Sequence, residues 1–190
     1  MKINLPNLLI VLRIILIPVF LFFFMADGPL PAEGPVSAEG PSYFRIIALI
    51  IFLVAAISDF FDGLLARRWN TVSNFGKLMD PLADKMLVSA AMIALAYRQE
   101  LAAWAVVIII CREFWVTSLR MLALEQGKEV IAASWWGKTK TVLQMIMLTV
   151  FISGLSFLDH IGTVLMYLSV IATVLSAVEY TKDYKDVFIA

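Results

Sequence analysis

The chain is short of most of what a water-soluble enzyme of its size contains. Of its 190 residues only 16% are charged, against about 25% in ordinary soluble domains. Fifteen Lys and Arg balance fifteen Asp and Glu, so no global excess draws nucleic acid or an acidic partner, and the charges must act by placement. The single cysteine, Cys111, excludes an intrachain disulfide framework; inside the run Ala105-Val-Val-Ile-Ile-Ile-Cys111 it reads as a small buried hydrophobe without redox chemistry. No internal repeat and no domain boundary is visible.

Apolar residues, by contrast, make up 62% of the chain, and the mean hydropathy is +0.90. A water-soluble domain has no interior large enough to hide that surface, so lipid is the expected solvent. Six runs approach the roughly 20 residues that a helix needs to cross a bilayer: Leu5 to Met25, Phe44 to Leu65, Pro81 to Tyr97, Leu101 to Leu124, Thr141 to Phe157 and Ile161 to Val178. The third and fifth are short, with room to extend by a turn at each end. Between the first two lies a Gly/Pro-rich stretch, Ala26 to Pro41, that cannot continue a helix. The other links are short apart from the basic segment Glu125 to Lys140.

The first run has the outline of a leader peptide, but it is long, carries Arg13 at its middle and precedes further spans, so it reads as a retained span. With the N-terminus inside, Lys2, Arg67, Arg68, Lys77, Arg120, Lys128, Lys138, Lys140, Lys182 and Lys185 fall on the inner side, against Arg45 and Arg98 outside. That imbalance places both termini in the cytoplasm. His160, beside Asp159 in an outer turn, reads as a solvated loop residue. The expectation is an all-α polytopic membrane protein with six transmembrane helices, forming one domain over residues 1–190.

Four acids stand out against this background. Asp59 and Asp62 are three residues apart near the end of the second helix; Asp80 and Asp84 are four apart near the start of the third. At about 100° per residue each pair shares one helix face, and a cytoplasmic hairpin brings the pairs opposite each other. Carboxylates at membrane depth are costly when unpaired. Arg67, Arg68 and Lys85 offer salt bridges, but four converging oxygen donors are also what hard divalent cations need, particularly two Mg²⁺ or Mn²⁺ that share phosphate oxygens. Gly63 and Ala66 lie on roughly the face of the first pair and allow either a bulky phosphorylated ligand or a neighbouring helix to approach the backbone.

The string Asp59-x2-Asp62-Gly63-x2-Ala66-Arg67-x8-Gly76-x3-Asp80-x3-Asp84 resembles the signature of the CDP-alcohol phosphotransferase family at every fixed position. The similarity extends to Leu5-Pro6-Asn7-Leu8-Leu9 with Arg13 and Pro18, to Arg112-Glu113-Phe114 with Ser118 and Arg120, and to Ser134 through Thr141. Leu9 stands where many members carry a threonine. The resemblance is greatest to members whose acceptor is sn-glycerol 3-phosphate. It implies transfer of the phosphatidyl group of CDP-diacylglycerol to that acceptor, giving phosphatidylglycerophosphate and CMP. It also implies that Asp59, Asp62 and Asp80 hold the cations, while Asp84 completes a metal shell or takes the acceptor's proton. Asp59, Gly63, Ala66 and Arg67 are then assigned to the CDP moiety. Asn7 either bonds the cytosine or caps the first helix.

An acceptor with its own phosphate requires a second anion site. Arg112 and Arg120 are eight residues apart on the fourth helix, within about 80° of each other, and Lys138 and Lys140 precede the fifth helix on the same side. Arg112, deep in an apolar run, must face a partner or a wet cavity; Glu113 is expected to serve only through a neighbouring helix, since adjacent residues point about 100° apart. Snorkelling to the interface is the plainer reading for all four cations. Trp104, Trp115, Trp135 and Trp136 read as interface anchors, and Tyr180 to Asp186 as a polar tail without chemistry. Competing readings are another acceptor (inositol phosphate, serine or phosphatidylglycerol) or a cation transporter, which would spread its acids through the bilayer. The expected partners are the two substrates, membrane lipid and a second copy in a homodimer.

Overall fold

The structure, a computed structural model, describes residues 5–27, 42–69, 74–127 and 134–185, with side chains for 11–27, 42–58, 85–127 and 134–185. The described residues form six α-helices: α1 Leu5–Met25, α2 Tyr43–Trp69, α3 Asn74–Tyr97, α4 Ala103–Glu125, α5 Trp135–Ser153 and α6 Asp159–Asp183, the last preceded by a 3₁₀ turn at Ser156–Leu158. Each expected run contains a helix, but Leu101 and Ala102 of the fourth precede α4, and the fifth, expected to reach Phe157, is α-helical only to Ser153, with Gly154 at φ 65° beyond it. The Gly/Pro stretch 28–41 lies outside the described residues.

The boundaries differ where local chemistry outweighs hydropathy. α3 begins at Asn74, so Pro81 lies inside the helix and not at its start. α5 begins at Trp135, within the segment expected to be a basic link, because Ser134 caps it: its Oγ accepts the Gly137 N–H at 3.1 Å. α6 runs on to Asp183 and takes in the first residues of the supposed tail. α3 ends in a Schellman turn, with the Glu100 N–H donating to Leu95 O and the Gln99 N–H to Ala96 O, both at 3.0 Å, and Gln99 at φ 60°.

The chain divides into two compact units. The first comprises residues 1–100 and 152–156. Here α1 packs against α2 and α3 through Phe20, Phe24 and Phe52, all fully buried, with Phe20 5.6 Å from Phe24 and 5.9 Å from Phe52. The small Ala48 and Ala55 on α2, seven residues apart, are also fully buried and keep that face flat. Arg13, in the middle of α1, is 1% exposed. At the other end of α1 is an ion cluster. Arg45 Nη1 donates to Asp27 at 3.2 Å and to Glu100 at 2.9 Å, Nη2 to Glu100, and Nε to the Ile152 carbonyl at 3.0 Å. Arg98 joins the same two carboxylates, and both guanidiniums lie 5.5 Å from the Phe24 ring centroid. The two basic residues assigned to the outer side are therefore buried and paired. Gly154, at φ 65°, sits against Arg45 so closely that a Cβ there would lie 2.7 Å from its Cδ.

The second unit comprises residues 101–151 and 157–190. α4 and α6 run in the same direction, since Trp104 meets Tyr167, Arg112 meets Ser176 and Arg120 meets Tyr180 in order. α5 runs the opposite way: Gly137 lies against Ser176 and Tyr180, Gln144 Nε2 donates to Thr173 Oγ1 at 3.3 Å, and Phe151 touches Gly162. Val116, Leu119, Ala123, Tyr180 and Tyr184 form one apolar cluster.

The outward surface is apolar. Phe22, Phe114, Met121, Leu124 and Phe157 are each at least 60% exposed, whereas Gln144, Ser169, Thr173 and Ser176 are buried. Cys111 belongs to this outward face and is exposed, which corrects the expectation of a buried thiol: an apolar run does not mark the interior when the exposed surface is apolar as well. His160 is exposed as expected, though within α6. Among the described residues, Ser156–Asp183 is long and apolar enough to cross a membrane, while Val11–Met25, Tyr43–Ser58 and Lys85–Tyr97 are shorter apolar stretches.

Candidate active site

The acidic half of the expected site sits on two helices of the first unit. Asp59 and Asp62 fall within α2, and Asp80 and Asp84 within α3, so helical spacing puts each pair on one face. The side chains of Asp59, Asp62, Gly63, Ala66, Arg67, Asp80 and Asp84, and that of Asn7, lie outside the described residues. Lys85, next in sequence to Asp84, is half-buried.

The cationic half belongs to the second unit. Three of the four expected cations converge on one end of the α4–α5–α6 bundle. Arg112, 8% exposed, donates from Nη1 to Glu113 Oε1 at 3.2 Å and from Nη2 to Ser176 Oγ. Lys140, 6% exposed, donates to the same Glu113 oxygen from α5. Arg120 donates from Nη2 to the Tyr180 hydroxyl at 2.5 Å. Lys138 is not brought into the group: it is exposed, and two residues of helix turn it about 200° away from Lys140.

The pairing of Arg112 with Glu113 corrects the expectation that adjacent residues cannot meet. Their Cβ vectors diverge, but an arginine and a glutamate are long enough to turn toward each other over the helix surface, and Lys140 closes the arrangement from the next helix. Two cations on one carboxylate oxygen, with side-chain exposures of 7%, 7% and 17%, make a charge-assisted network in a largely desolvated setting. Arg112, Arg120, Lys140 and Glu113 together carry two net positive charges.

The donor capacity of the arginines is not exhausted. Nε of Arg112 and Nε of Arg120 are buried with no hydrogen-bond partner among the described residues. A buried donor left unsatisfied costs about 1–3 kcal/mol, more when charged, so each Nε favours an added acceptor. A compact anion with several oxygens meets that need, and a phosphomonoester dianion also matches the charge.

Sequence reasoning missed Tyr180 and Ser176. Tyr180 is 1% exposed and fills the space between the arginines and α5, so the reading of Tyr180 to Asp186 as a tail fails at its first residue. The signal was present: Ser169, Thr173, Ser176 and Tyr180 follow one another at spacings of four, three and four residues, which draws a polar stripe down one face of an apolar helix. Trp104, Trp115, Trp135 and Trp136 are each between 37% and 69% exposed, and Trp115 Nε1 donates to Thr181 at 3.0 Å.

Comparison with known proteins identifies the family. The chain belongs to the CDP-alcohol phosphatidyltransferase family, whose model matches residues 3–175. Among its relatives, a probable phosphatidylglycerophosphate synthase of Mycobacterium tuberculosis is 39% identical over 178 residues, covering 93% of this chain and 79% of its own. A CDP-diacylglycerol–glycerol-3-phosphate 3-phosphatidyltransferase of Rickettsia bellii is 36% identical over 191 residues, 97% of each chain. The Bacillus subtilis protein of the same name is 43% identical over 146 residues, 75% of this chain and 73% of its own.

Proposed function

We propose that the protein transfers the phosphatidyl group of CDP-diacylglycerol to sn-glycerol 3-phosphate, releasing CMP. The observation that carries the acceptor assignment is the buried group of Arg112, Arg120 and Lys140, with two unused arginine donors, on a chain whose relatives bear the name of that reaction. Serine has no phosphate to offer such a group, and phosphatidylglycerol presents only a singly charged diester.

In this reading the donor is held by the first unit. Gly63 and Ala66 leave the α2 backbone open to the CDP moiety, and Arg67 offers a planar guanidinium to the diphosphate. Asp59, Asp62, Asp80 and Asp84 are hard oxygen donors whose number and spacing fit two Mg²⁺ or Mn²⁺ ions. When bound, such cations supply charge neutralisation at the diphosphate. The acceptor's free hydroxyl oxygen attacks the phosphatidyl phosphorus, its proton passes to Asp84, and the bond to the CMP oxygen breaks. Asn7 lies at the start of α1, where it contributes a hydrogen bond to the base or a helix cap. Arg112, Arg120 and Lys140 hold the acceptor's phosphate.

The exposed apolar faces support a membrane-embedded bundle of six spans. The basic residues at the ends of α4, α5 and α6 support a cytoplasmic active site and cytoplasmic termini at a bacterial inner membrane. The whole chain acts as one domain, as a homodimer joined through lipid-facing surface.

The test is CMP release by the purified protein with CDP-diacylglycerol and Mg²⁺, comparing glycerol 3-phosphate with inositol phosphate, serine and phosphatidylglycerol, each with and without EDTA. Release with glycerol 3-phosphate alone, abolished by chelation, is expected. Metal-dependent release with a different acceptor overturns the acceptor assignment. No release with any acceptor overturns the reaction and favours cation transport.

A further inference from the structure

Two guanidiniums in a desolvated site repel each other, and something must hold them at a fixed separation if they are to grip one phosphate. The Tyr180 ring meets both. Its centroid lies 5.5 Å from Arg112 Cζ and 5.0 Å from Arg120 Cζ, and its hydroxyl accepts from Arg120 Nη2 at 2.5 Å and from the Ser134 backbone N–H at 3.3 Å. One turn earlier on α6, Ser176 accepts from Arg112. The ring is 1% exposed and stacked on Tyr184, with centroids 6.3 Å apart and planes within 10°. The α5 backbone passes beside the ring at Gly137, where a Cβ would reach ordinary van der Waals contact with Tyr180 Cε2 at 3.6 Å. α4 thus supplies the charges, α6 the ring, and the cap of α5 the backbone donor that orients the hydroxyl.

We propose that Tyr180 is a positioning residue for the acceptor phosphate: its π-face separates and attracts the two guanidiniums, and its hydroxyl, anchored by the Ser134 N–H, fixes the rotation of Arg120. Both arginines are left with Nε unpartnered among the described residues, so the ring orients them without consuming the donors that face an anion. A cation over an aromatic face is most favourable where water is excluded, and the residue here is almost wholly buried. The inference rests on the reading of Arg112, Arg120 and Lys140 as the acceptor-phosphate site.

The experiment measures kcat and both Michaelis constants in the full-length enzyme for Tyr180→Phe, Tyr180→Leu, Arg120→Gln and the double variant Tyr180→Phe/Arg120→Gln. Tyr180→Phe keeps the π-face and loses the hydroxyl, so the KM for glycerol 3-phosphate is expected to rise about tenfold while the KM for CDP-diacylglycerol stays within about twofold. Tyr180→Leu loses both, and a rise of about a hundredfold is expected; if it does not fold, Tyr180→Phe decides alone. Because the hydroxyl acts through Arg120, adding Tyr180→Phe to Arg120→Gln should cost less than about twofold more, the non-additivity of partners in one network. An unchanged KM for glycerol 3-phosphate in Tyr180→Phe, an equal rise for both substrates, or effects that multiply in the double variant overturns the positioning role while leaving the acceptor site standing. An unchanged KM in Arg120→Gln instead overturns the acceptor site itself, and the inference with it.

Discussion

Glu113 is the most informative residue to neutralise, because it both stabilises the cation group and competes with its ligand. Its Oε1 accepts from Arg112 and from Lys140, whose side chains are each 7% exposed. Removing one partner of a buried ion pair costs about 3–5 kcal/mol. Glu113→Gln keeps an amide oxygen that still accepts one hydrogen bond, and the glutamate is 17% exposed, so about 2 kcal/mol is a fairer figure. For a chain of this length that lowers the thermal midpoint by about 4–8 °C. The same substitution raises the net charge of the four-residue group from two to three, which strengthens its attraction for a phosphate dianion. Ligand that binds only the folded state stabilises by about 2.7 kcal/mol at a hundred times its Kd, so glycerol 3-phosphate should restore a larger share of the midpoint in the variant than it adds to the parent. The assay is intrinsic tryptophan fluorescence during heating in detergent, with a glycerol 3-phosphate titration of both proteins. A variant as stable as the parent, or one whose midpoint glycerol 3-phosphate raises by less than the parent's, refutes the competition between Glu113 and the acceptor phosphate.

Four further outcomes follow from the same reasoning. Asp84→Asn should retain the parent's helix content and thermal midpoint while losing about 10²–10⁴-fold in CMP release, the scale of a lost proton acceptor; a folded variant with full activity removes Asp84 from both proton transfer and metal binding. Gly154→Ala should lower the thermal midpoint, by roughly 1–3 kcal/mol of stability, since the position combines φ 65° with a Cβ that meets Arg45 Cδ at 2.7 Å and Cζ at 2.8 Å; an unchanged midpoint would mean that the Arg45 cluster yields freely. Gln144→Leu or Thr173→Val alone leaves a buried group unpartnered and should cost about 1–3 kcal/mol, whereas the double variant should recover most of it; additive losses in the denaturation midpoints would exclude the 3.3 Å bond between them. Cys111, exposed on α4, should react in intact membranes with a lipid-soluble maleimide and resist a charged one; the reverse would place that face in water.

Most of the helix inventory was legible because apolar runs of this length exceed a strand and are bounded by Gly, Pro and charged residues. The first run matches α1 from Leu5 to Met25 without adjustment. The errors arose where one local bond overrides the hydropathy profile. A serine cap moved the start of α5 back to Trp135, and α6 continued past the apolar window because Tyr180 and Tyr184 bury their rings against α4 residues such as Leu119 and Ala123. Cys111 was misplaced for a related reason: a chain this apolar also carries apolar residues on its surface, so apolar character does not separate inside from outside, and the polar residues report the interior. Arg45 and Arg98 make the complementary point: both are buried with Asp27 and Glu100, a pairing that a count of basic residues does not reveal.

For the site, helical periodicity placed Arg112 and Arg120 on neighbouring faces, and the structure brings both to one tyrosine. Periodicity could not say what they would meet, because the tyrosine lies 60 residues beyond Arg120 and its contact depends on which helix α4 chooses as neighbour. Nor could it find the Arg112–Glu113 pair, since Cβ directions describe where a side chain starts and a guanidinium ends several bonds further on. The polar stripe from Ser169 to Tyr180 was the one sequence feature that carried this information. A hydroxyl or amide facing hydrocarbon leaves its hydrogen bonds unmade, so four such groups at helical spacing in α6 point to a shared interior side, and the cations of α4 are the groups with donors to place there. In a membrane bundle the reading therefore gains most from asking which polar side chains share a face, and then which distant charges require them.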